Sequence, residues 1–424
     1  MYDTANITER VILIAAEEEE GQANLDELSL LVKTSGAEEA GRMVQRRESR
    51  HPGTYFGKGK VEELKDLIDE VEADAIVCDD ELSPAQYRNL ADKLSVKILD
   101  RTSVILDIFA QRALSAEGRA QVELAQLKYR LSRLSGIGVQ LSRQGGRAAS
   151  GGVGNRGPGE KKLETDRRHI RSRIEHLTRE LKEIRANREV LRSKRMKSGL
   201  PVVALVGYTN AGKSTLLNTL TDAGVLAEDK LFATLDTVTR KALIPGEEEG
   251  TGAEVLFTDT VGFIHKLPHH LIQAFRATLE ELCYADIMLH VVDLSAPRYL
   301  EQMQVVYETL SDLGCMDKPI ITAYNKMDAT DSPPSPDPAA RKTLAISART
   351  GKNMDMLLRE IEGILQTLRL KIRVLIPYTE SRWVNRIHET CDIISTLHRD
   401  NGTFFEAYAS DEIAGQLRAF YVED

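Results

Sequence analysis

Cysteine is scarce in this chain, and long apolar runs are missing. Four cysteines occur among the 424 residues, and no two of them form a CxxC pair. A disulfide framework and a zinc site are therefore not indicated, which fits a reducing cytosol. No apolar run approaches the roughly 20 residues of a membrane span, and the start lacks the basic and apolar blocks of a signal peptide. We expect a soluble, cytoplasmic protein without a membrane span.

Charge is distributed unevenly along the chain. The formal net charge is -9, yet residues 112–197 carry 22 Lys or Arg against 9 Asp or Glu. Nucleic acid is the usual polyanion that binds a basic segment of an otherwise acidic protein. A helical hairpin that turns its charges toward solvent is the alternative. We favour nucleic acid as the partner of this segment.

The length predicts several domains. Strands alternate with amphipathic helices over residues 1–112, which predicts a small α/β layer with a largely parallel sheet. Heptad seams on both sides of the basic, glycine-rich segment 139–162 predict a long antiparallel helical hairpin over 113–197, with that segment as its tip loop. A third domain is predicted over residues 198–368, and it begins with a strand that leads into a glycine loop and a helix. Residues 369–424 predict a small α+β domain.

The residues "GYTNAGKST" match the pattern of a phosphate-binding loop. They follow the apolar strand "VVALVG" and open a helix, which is the context that this motif requires. Amides of the loop and the helix N-terminus can hold anionic oxygens, Lys213 reaches the terminal phosphates, and Ser214 ligates Mg²⁺. The predicted phosphate-binding residues are Gly207, Tyr208, Thr209, Asn210, Ala211, Gly212, Lys213, Ser214 and Thr215.

Three further motifs indicate a guanine nucleotide. In "DTVG", Asp259 can organise the Mg²⁺ shell and the amide of Gly262 can sense the γ-phosphate. In "NKMD", Asp328 can accept hydrogen bonds from the ring N–H and amino group of guanine, a donor pair that adenine lacks. Asn325 and the amide of Ala348, in "SAR", suit the carbonyl side of the base. These motifs predict a Ras-like P-loop GTPase domain with site residues Asp259, Thr260, Val261, Gly262, Asn325, Lys326, Met327, Asp328, Ser347, Ala348 and Arg349.

Two parts of the catalytic machinery stay open at this point. A mobile threonine must contact Mg²⁺ and the γ-phosphate, and the segment "LFATLDTVTR" offers Thr234, Thr237 and Thr239 without deciding among them. Ras-like enzymes place a water-orienting glutamine after their "DxxG" motif, whereas this chain has Phe263 there. We therefore predict slow GTP hydrolysis in isolation and acceleration by a partner.

Taken together, "GYTNAGKST", "FATLD", "DTVGFI" followed by "LPHHL", "TYFGKGKVEEL" and "GGVGNRGPGEKKLETDRR" resemble the HflX family of translational GTPases. The resemblance implies binding to the large ribosomal subunit and its rRNA, GTP hydrolysis stimulated by that surface, and splitting of stalled or idle ribosomes under stress. It also implies that Thr234 ligates Mg²⁺ and acts in catalysis with Lys213 and Gly262. Thr237 stands where the family usually has proline, which leaves the mobility of this segment in question. The further nucleotide-binding residues are Phe232, Ala233, Thr234, Leu235 and Asp236.

The resemblance and the charge together define the expected RNA contact. We expect the hairpin to reach ribosomal RNA and bind its phosphates in a salt-dependent manner. Asn210 resembles the asparagine of some K⁺-activated GTPases, which makes K⁺ a further candidate cofactor, although we favour a loop-shaping role. The apolar faces of the two hairpin helices can cover each other, which gives no reason for a dimer, so we expect a monomer. The predicted RNA-binding residues are Arg143, Arg147, Arg156, Lys161, Lys162, Arg167 and Arg168.

Three alternative functions fit parts of the sequence. A GTP-dependent switch in RNA maturation or ribosome assembly would use the same nucleotide site. An ATP-driven RNA remodeller would use Lys58 and Lys60 of "FGKGK" as a second nucleotide site, although no Mg²⁺-binding motif lies near them; a plain strand-to-helix turn is the favoured reading there. A binding module with structural GTP would release its partner without hydrolysis.

Overall fold

The structure of the chain is a computed structural model that describes most of the residues. The described ranges are 8–17, 21–46, 50–144, 158–196, 200–221, 231–233, 235–245, 252–268, 271, 275, 279–368, 370–409 and 411–422. The chain forms two compact units, of which the first comprises residues 1–183, 229–235 and 266–276 and the second comprises 184–228, 236–265 and 277–424. Within the described ranges, no helix is both long and apolar enough to cross a membrane.

A four-stranded parallel sheet forms the centre of the first unit. Its strands run in the order β2-β1-β3-β4, and the apolar side chains of β1 and β3 are buried between helices. Ser83 caps one of these helices in a reciprocal capping box with Gln86, and Pro84 fits its first turn. The predicted parallel α/β layer is confirmed. The elements are β1 (Arg10–Glu17), α1 (Gly21–Ser35), β2 (Glu38–Arg46), α2 (Lys58–Val71), β3 (Ala75–Cys78), α3 (Pro84–Leu94), β4 (Lys97–Asp100) and α4 (Arg101–Arg112).

Two long helices follow, α5 (Ala116–Gln144) and α6 (Pro158–Met196). They pack antiparallel, because Leu124 on α5 forms an apolar cluster with Leu177 on α6 and the two guanidinium nitrogens of Arg173 lie 2.7 and 2.8 Å from the carboxylate oxygens of Glu123. The helices extend further into the basic segment than the predicted loop 139–162 allows. Proline at the start of α6 costs no hydrogen bond, since the first helical N–H groups have no partner within the helix.

The second unit contains a six-stranded sheet in the order β10-β9-β8-β5-β7-β6. β6 is antiparallel to β7, and the other neighbours are parallel. Buried side chains of β5, β8 and β9 form its apolar core with the helices that cover the sheet. The elements are β5 (Val202–Gly207), α7 (Lys213–Thr221), β6 (Val238–Pro245), β7 (Gly252–Asp259), a 3-10 helix (Glu280–Tyr284), β8 (Ile287–Asp293), α8 (Tyr299–Asp312), β9 (Ile320–Asn325), β10 (Lys342–Ala345) and α9 (Met354–Thr367).

The last part of the second unit is a small antiparallel sheet in the order β11-β13-β12. One face carries Ile372, Val374 and Phe405, which pack against Ile387 and Leu417 of two covering helices. This agrees with the α+β layout expected after residue 369. The elements are β11 (Leu370–Ile376), a 3-10 turn (Tyr378–Glu380), α10 (Ser381–Thr390), β12 (Asp392–Arg399), β13 (Gly402–Ala409), α11 (Asp411–Leu417) and a final 3-10 turn (Arg418–Phe420).

One disulfide departs from the sequence-based expectation that the cysteines are unpaired. Cys283, in the 3-10 helix before β8, is joined to Cys315, which follows α8, and their Cα atoms are 5.1 Å apart. The two cysteines are separated by 32 positions in the sequence, so a spacing rule does not associate them. The β8–α8 crossover returns the chain to the edge of the sheet where β8 began. Distant positions thereby become neighbours.

Candidate nucleotide site

The predicted motifs meet at one edge of the six-stranded sheet. β5 ends at Gly207, β7 ends at Asp259 and β9 ends at Asn325, so the carboxyl ends of these parallel strands deliver three motifs to the same place. The fourth motif, Ser347–Arg349, follows β10 in the same sheet. Ligands of open α/β sheets bind at the carboxyl ends of the strands. The fold therefore gathers the predicted phosphate and base residues of the second unit at one edge.

Lys213 occupies the centre of the phosphate loop. Its side chain is almost entirely buried, and Nζ donates hydrogen bonds to the carbonyl oxygens of Gly207 at 3.1 Å and Tyr208 at 2.9 Å. Burial lowers the pKa of Lys213 to about 8, with the charge of Asp259 opposing that shift. At neutral pH most Lys213 side chains are therefore protonated. Phosphate oxygens can replace the two carbonyls as acceptors of a charge-assisted bond.

Ser214 and Asp259 stand together at the start of α7. The hydroxyl of Ser214 donates to Oδ2 of Asp259 at 2.7 Å, and Asp259 is fully buried. A hydroxyl oxygen, a carboxylate and phosphate oxygens are the hard donors that suit Mg²⁺. The pair therefore fits the metal proposed from the sequence. Thr234, the other predicted metal ligand, lies outside the described residues.

Gly262 lies directly against the phosphate loop. A Cβ atom at this position would be 2.9 Å from Lys213 Nζ and 2.9 Å from both Cα and Cγ2 of Thr209. The next residue, Phe263, is held to the loop by its backbone: its N–H donates to the Gly207 carbonyl at 3.1 Å and its carbonyl accepts from the Thr209 N–H at 2.8 Å. Only glycine fits this approach. The motif "DTVG" thus touches the lysine that is expected to reach the γ-phosphate.

Asn325 connects two parts of the site. Its Nδ2 donates to the carbonyl of Ala211 in the phosphate loop at 2.9 Å, and its Oδ1 accepts from the N–H of Ala348 at 2.9 Å. The sequence assigned both Asn325 and the Ala348 amide to the guanine carbonyl side. In the structure these two groups bond each other, so Asn325 braces the loop against the "SAR" turn.

Asp328 is exposed at the rim of the site. A hydrogen bond from Ser347 is the main reason that the pKa of Asp328 lies below its usual value, so the carboxylate is ionised and can accept a hydrogen bond from guanine.

Lys326 forms an ion pair with Asp293, and the distance from Nζ to Oδ2 is 2.7 Å. Sequence reasoning missed Asp293. Asp293 could have been identified from its place at the end of β8, where it is in register with Asn325 at the end of β9.

The segment predicted to contact Mg²⁺ and the γ-phosphate is described in part, and its residues up to Leu235 belong to the first unit. Phe232 and Leu235 are buried there, and the ring of Phe232 meets Phe109 of α4 edge-on at 4.7 Å between centroids. Ala233 is half-buried. Asp236, at the start of the second unit's next stretch, is also half-buried. Leu231 is buried as well, so the large apolar side chains of this segment that belong to the first unit are turned away from solvent.

Two buried carboxylates and a half-buried lysine join the segment after "DTVGFI" to the sheet of the first unit. Nζ of Lys266 is 2.6 Å from Asp79 and 3.0 Å from Asp80, two carboxylates at the end of β3. Arg101 of α4 also binds Asp79, at 2.9 Å. These contacts are not predictable from the sequence, because Lys266 and Asp79 are nearly 190 positions apart.

The predicted RNA-binding residues are described only in part. Arg168 is exposed on α6, whereas Arg167 is half-buried and donates to the backbone carbonyl of Leu134 on α5. The positions of Arg143, Lys161 and Lys162 are helical, and their side chains lie outside the description. Arg147 and Arg156 lie outside the described residues altogether.

The segment "FGKGK" forms the turn into α2. The Gly57 N–H donates to Oε1 of Gln45 at 2.8 Å, so this amide is already used within the first unit. Lys60 pairs with Glu63 one turn along the helix at 2.6 Å. The turn is the structure that the sequence analysis favoured over an anion-binding loop.

A phosphate loop with a buried lysine, a glycine turn against it and a base-recognition edge define a P-loop GTPase. Three family descriptions match the chain: "GTP-binding GTPase N-terminal" over residues 22–110, "GTP-binding GTPase Middle Region" over 112–195 and "50S ribosome-binding GTPase" over 202–326.

Individual relatives of the chain identify its family within the P-loop GTPases. The chain is 52% identical to "GTPase HflX" of Lacrimispora saccharolytica over 98% of this chain and 97% of that protein, and 47% identical to "GTPase HflX" of Caldanaerobacter subterraneus over 100% and 96%. A crystal structure of a GTP-binding protein from Sulfolobus solfataricus in complex with GDP is 23% identical, with a TM-score of 0.44 over 85% of this chain and 100% of that chain. The chain belongs to the HflX family and is a GTPase.

Proposed function

We propose that this GTPase binds the large ribosomal subunit and couples GTP binding and hydrolysis to the dissociation and rescue of ribosomes under stress. The observation that carries the proposal is the match of residues 202–326, which hold most of the nucleotide site, to a domain described as a 50S ribosome-binding GTPase. Near-full-length similarity to proteins named GTPase HflX supports it. The protein acts as a cytoplasmic monomer.

The bound nucleotide controls the affinity of the protein for the ribosome. GTP with Mg²⁺ orders the segments around Thr234 and Gly262, and hydrolysis releases them. Ser214 and Asp259 would hold the Mg²⁺ ion, which would neutralise charge on the phosphates. The backbone of Asn210 has a φ of 62°, a left-handed conformation that asparagine tolerates well, which supports its loop-shaping role over K⁺ binding.

The helical hairpin is the RNA-binding arm in this proposal. Its second helix carries an excess of basic side chains, of which Arg168, Arg171 and Arg179 are exposed. Phosphate contacts release counterions, so ribosome affinity should fall steeply as salt rises. Reversing the charge of Arg147 and Arg156 should weaken binding and flatten that salt dependence. Unchanged affinity and slope would remove the hairpin from the RNA interface.

Ribosome dissociation tests the functional conclusion directly. Purified 70S ribosomes are mixed with the protein and GTP, and the subunits are separated on a sucrose gradient. We expect free subunits with the wild-type protein and intact ribosomes with Lys213→Ala, whose phosphate contact is lost. Binding to immature RNA or assembly particles in place of mature large subunits would favour the maturation alternative.

A further inference from the structure

GTP hydrolysis needs a group that orients the attacking water, and the side chain after "DTVG" lacks one. Phe263 is 2% exposed and its ring has no hydrogen-bonding group. Both backbone groups of Phe263 are bonded to the phosphate loop. In the protein without its partner, this task is left to another group beside the γ-phosphate position.

Thr209 stands at that position. The point at which a Gly262 Cβ would lie is 2.9 Å from Lys213 Nζ and 2.9 Å from both Cα and the methyl carbon Cγ2 of Thr209, so the lysine, the sensing glycine and the side chain that carries the Thr209 hydroxyl converge. In P-loop enzymes the terminal phosphate lies between the corresponding lysine and glycine amide. Thr209 therefore borders the place where water attacks.

The Thr209 hydroxyl is buried and makes no hydrogen bond within the described residues. The residue is 6% exposed, and Oγ1 has no hydrogen-bond partner in the described part of the chain. Burying a hydroxyl without a partner is unfavourable, so a native site retains one where a ligand completes it. The neighbouring polar groups are already engaged: Lys213 donates to two carbonyls, and the Tyr208 hydroxyl accepts from the His265 N–H at 2.7 Å.

We propose that the Thr209 hydroxyl is a catalytic group that orients the attacking water against the γ-phosphate. A hydroxyl can accept a hydrogen bond from water while donating one to a phosphate oxygen. The water oxygen bonds to the γ-phosphorus, and the bond to the β–γ bridging oxygen breaks with its electron pair passing to the β-phosphate. The water proton ends on a γ-phosphate oxygen. Thr209 neither gains nor loses a proton over the reaction.

The test is single-turnover GTP hydrolysis by the full chain without ribosomes, with the GDP dissociation constant measured in parallel. Thr209→Val keeps the shape and removes the hydroxyl, so the rate constant should fall about 10- to 100-fold while the GDP dissociation constant stays within about threefold. Thr209→Ser restores the hydroxyl and should hydrolyse within about threefold of wild type.

Thr322→Val is the matched control. Thr322 is also a buried threonine of the second unit, but its hydroxyl donates to Asp337. This variant should melt at a lower temperature and keep its hydrolysis rate. If Thr209→Val does not fold, Thr209→Ala against Thr209→Ser gives the same comparison.

Three results would overturn the assignment. Hydrolysis by Thr209→Val within threefold of wild type would show that the hydroxyl is dispensable. An equal loss in Thr209→Ser, or a rate loss matched by the loss of GDP affinity, would show a structural role. The assay contains no ribosomal component, so its outcome is independent of the proposed partner.

Discussion

Removing the Asn325 side chain should disconnect the phosphate loop from the base-recognition edge. The variant Asn325→Ala leaves the Ala211 carbonyl and the Ala348 N–H without their partners, and both residues are buried. Each orphaned group costs about 1–3 kcal/mol, so we expect the free energy of unfolding of the second unit to fall by about 2–6 kcal/mol. The phosphate loop also loses its hydrogen bond from Asn325, and GDP should bind at least about tenfold more weakly.

Urea unfolding followed by circular dichroism measures the first effect, and titration with a fluorescent GDP analogue measures the second. Asn89→Ala is the matched control, because the Asn89 amide donates to the Gly53 carbonyl at an exposed position of the first unit. Its removal should cost about 0.5–1.5 kcal/mol and leave GDP binding unchanged. Wild-type stability and wild-type GDP affinity in Asn325→Ala would refute the bracing role.

Three further outcomes follow from the same contacts. Asp328→Asn should weaken GDP binding about 10- to 100-fold and admit a xanthine nucleotide, measured by competition, because the ionised acceptor for guanine is gone. Cys283→Ser should lower stability by about 3–4 kcal/mol in oxidising buffer and leave it unchanged in reducing buffer, since the disulfide closes a loop across 32 positions; melting with and without dithiothreitol checks this. Gly262→Ala should slow single-turnover hydrolysis at least about tenfold, because its Cβ would lie 2.9 Å from Lys213 Nζ.

The nucleotide site was predictable because its signals are local. The phosphate loop, "DTVG" and "NKMD" are contiguous motifs, and each follows a buried apolar strand whose end fixes the place of the motif in a parallel sheet. The heptad seam was predictable for a similar reason, since a period of three and four residues places leucines on one face of a helix.

The polar strand β2 and the long-range contacts were not predictable in the same way. β2 reads "EEAGRMVQR", and a polar edge strand takes its stability from pairing with β1 and has no apolar alternation to reveal it. The Cys283–Cys315 disulfide and the pairing of Lys266 with Asp79 join positions that only the folded chain brings together. Asn325 was recognised by its motif, but its two hydrogen bonds depend on how the turns pack.

We propose that this P-loop GTPase, which lacks the glutamine of Ras-like enzymes, works on the large ribosomal subunit. GTP turnover by the purified protein, with and without purified large subunits, tests it most directly. We expect slow turnover alone and at least about tenfold faster turnover with large subunits, with no turnover by Lys213→Ala in either condition. Fast turnover of the isolated protein that large subunits do not change would contradict the account.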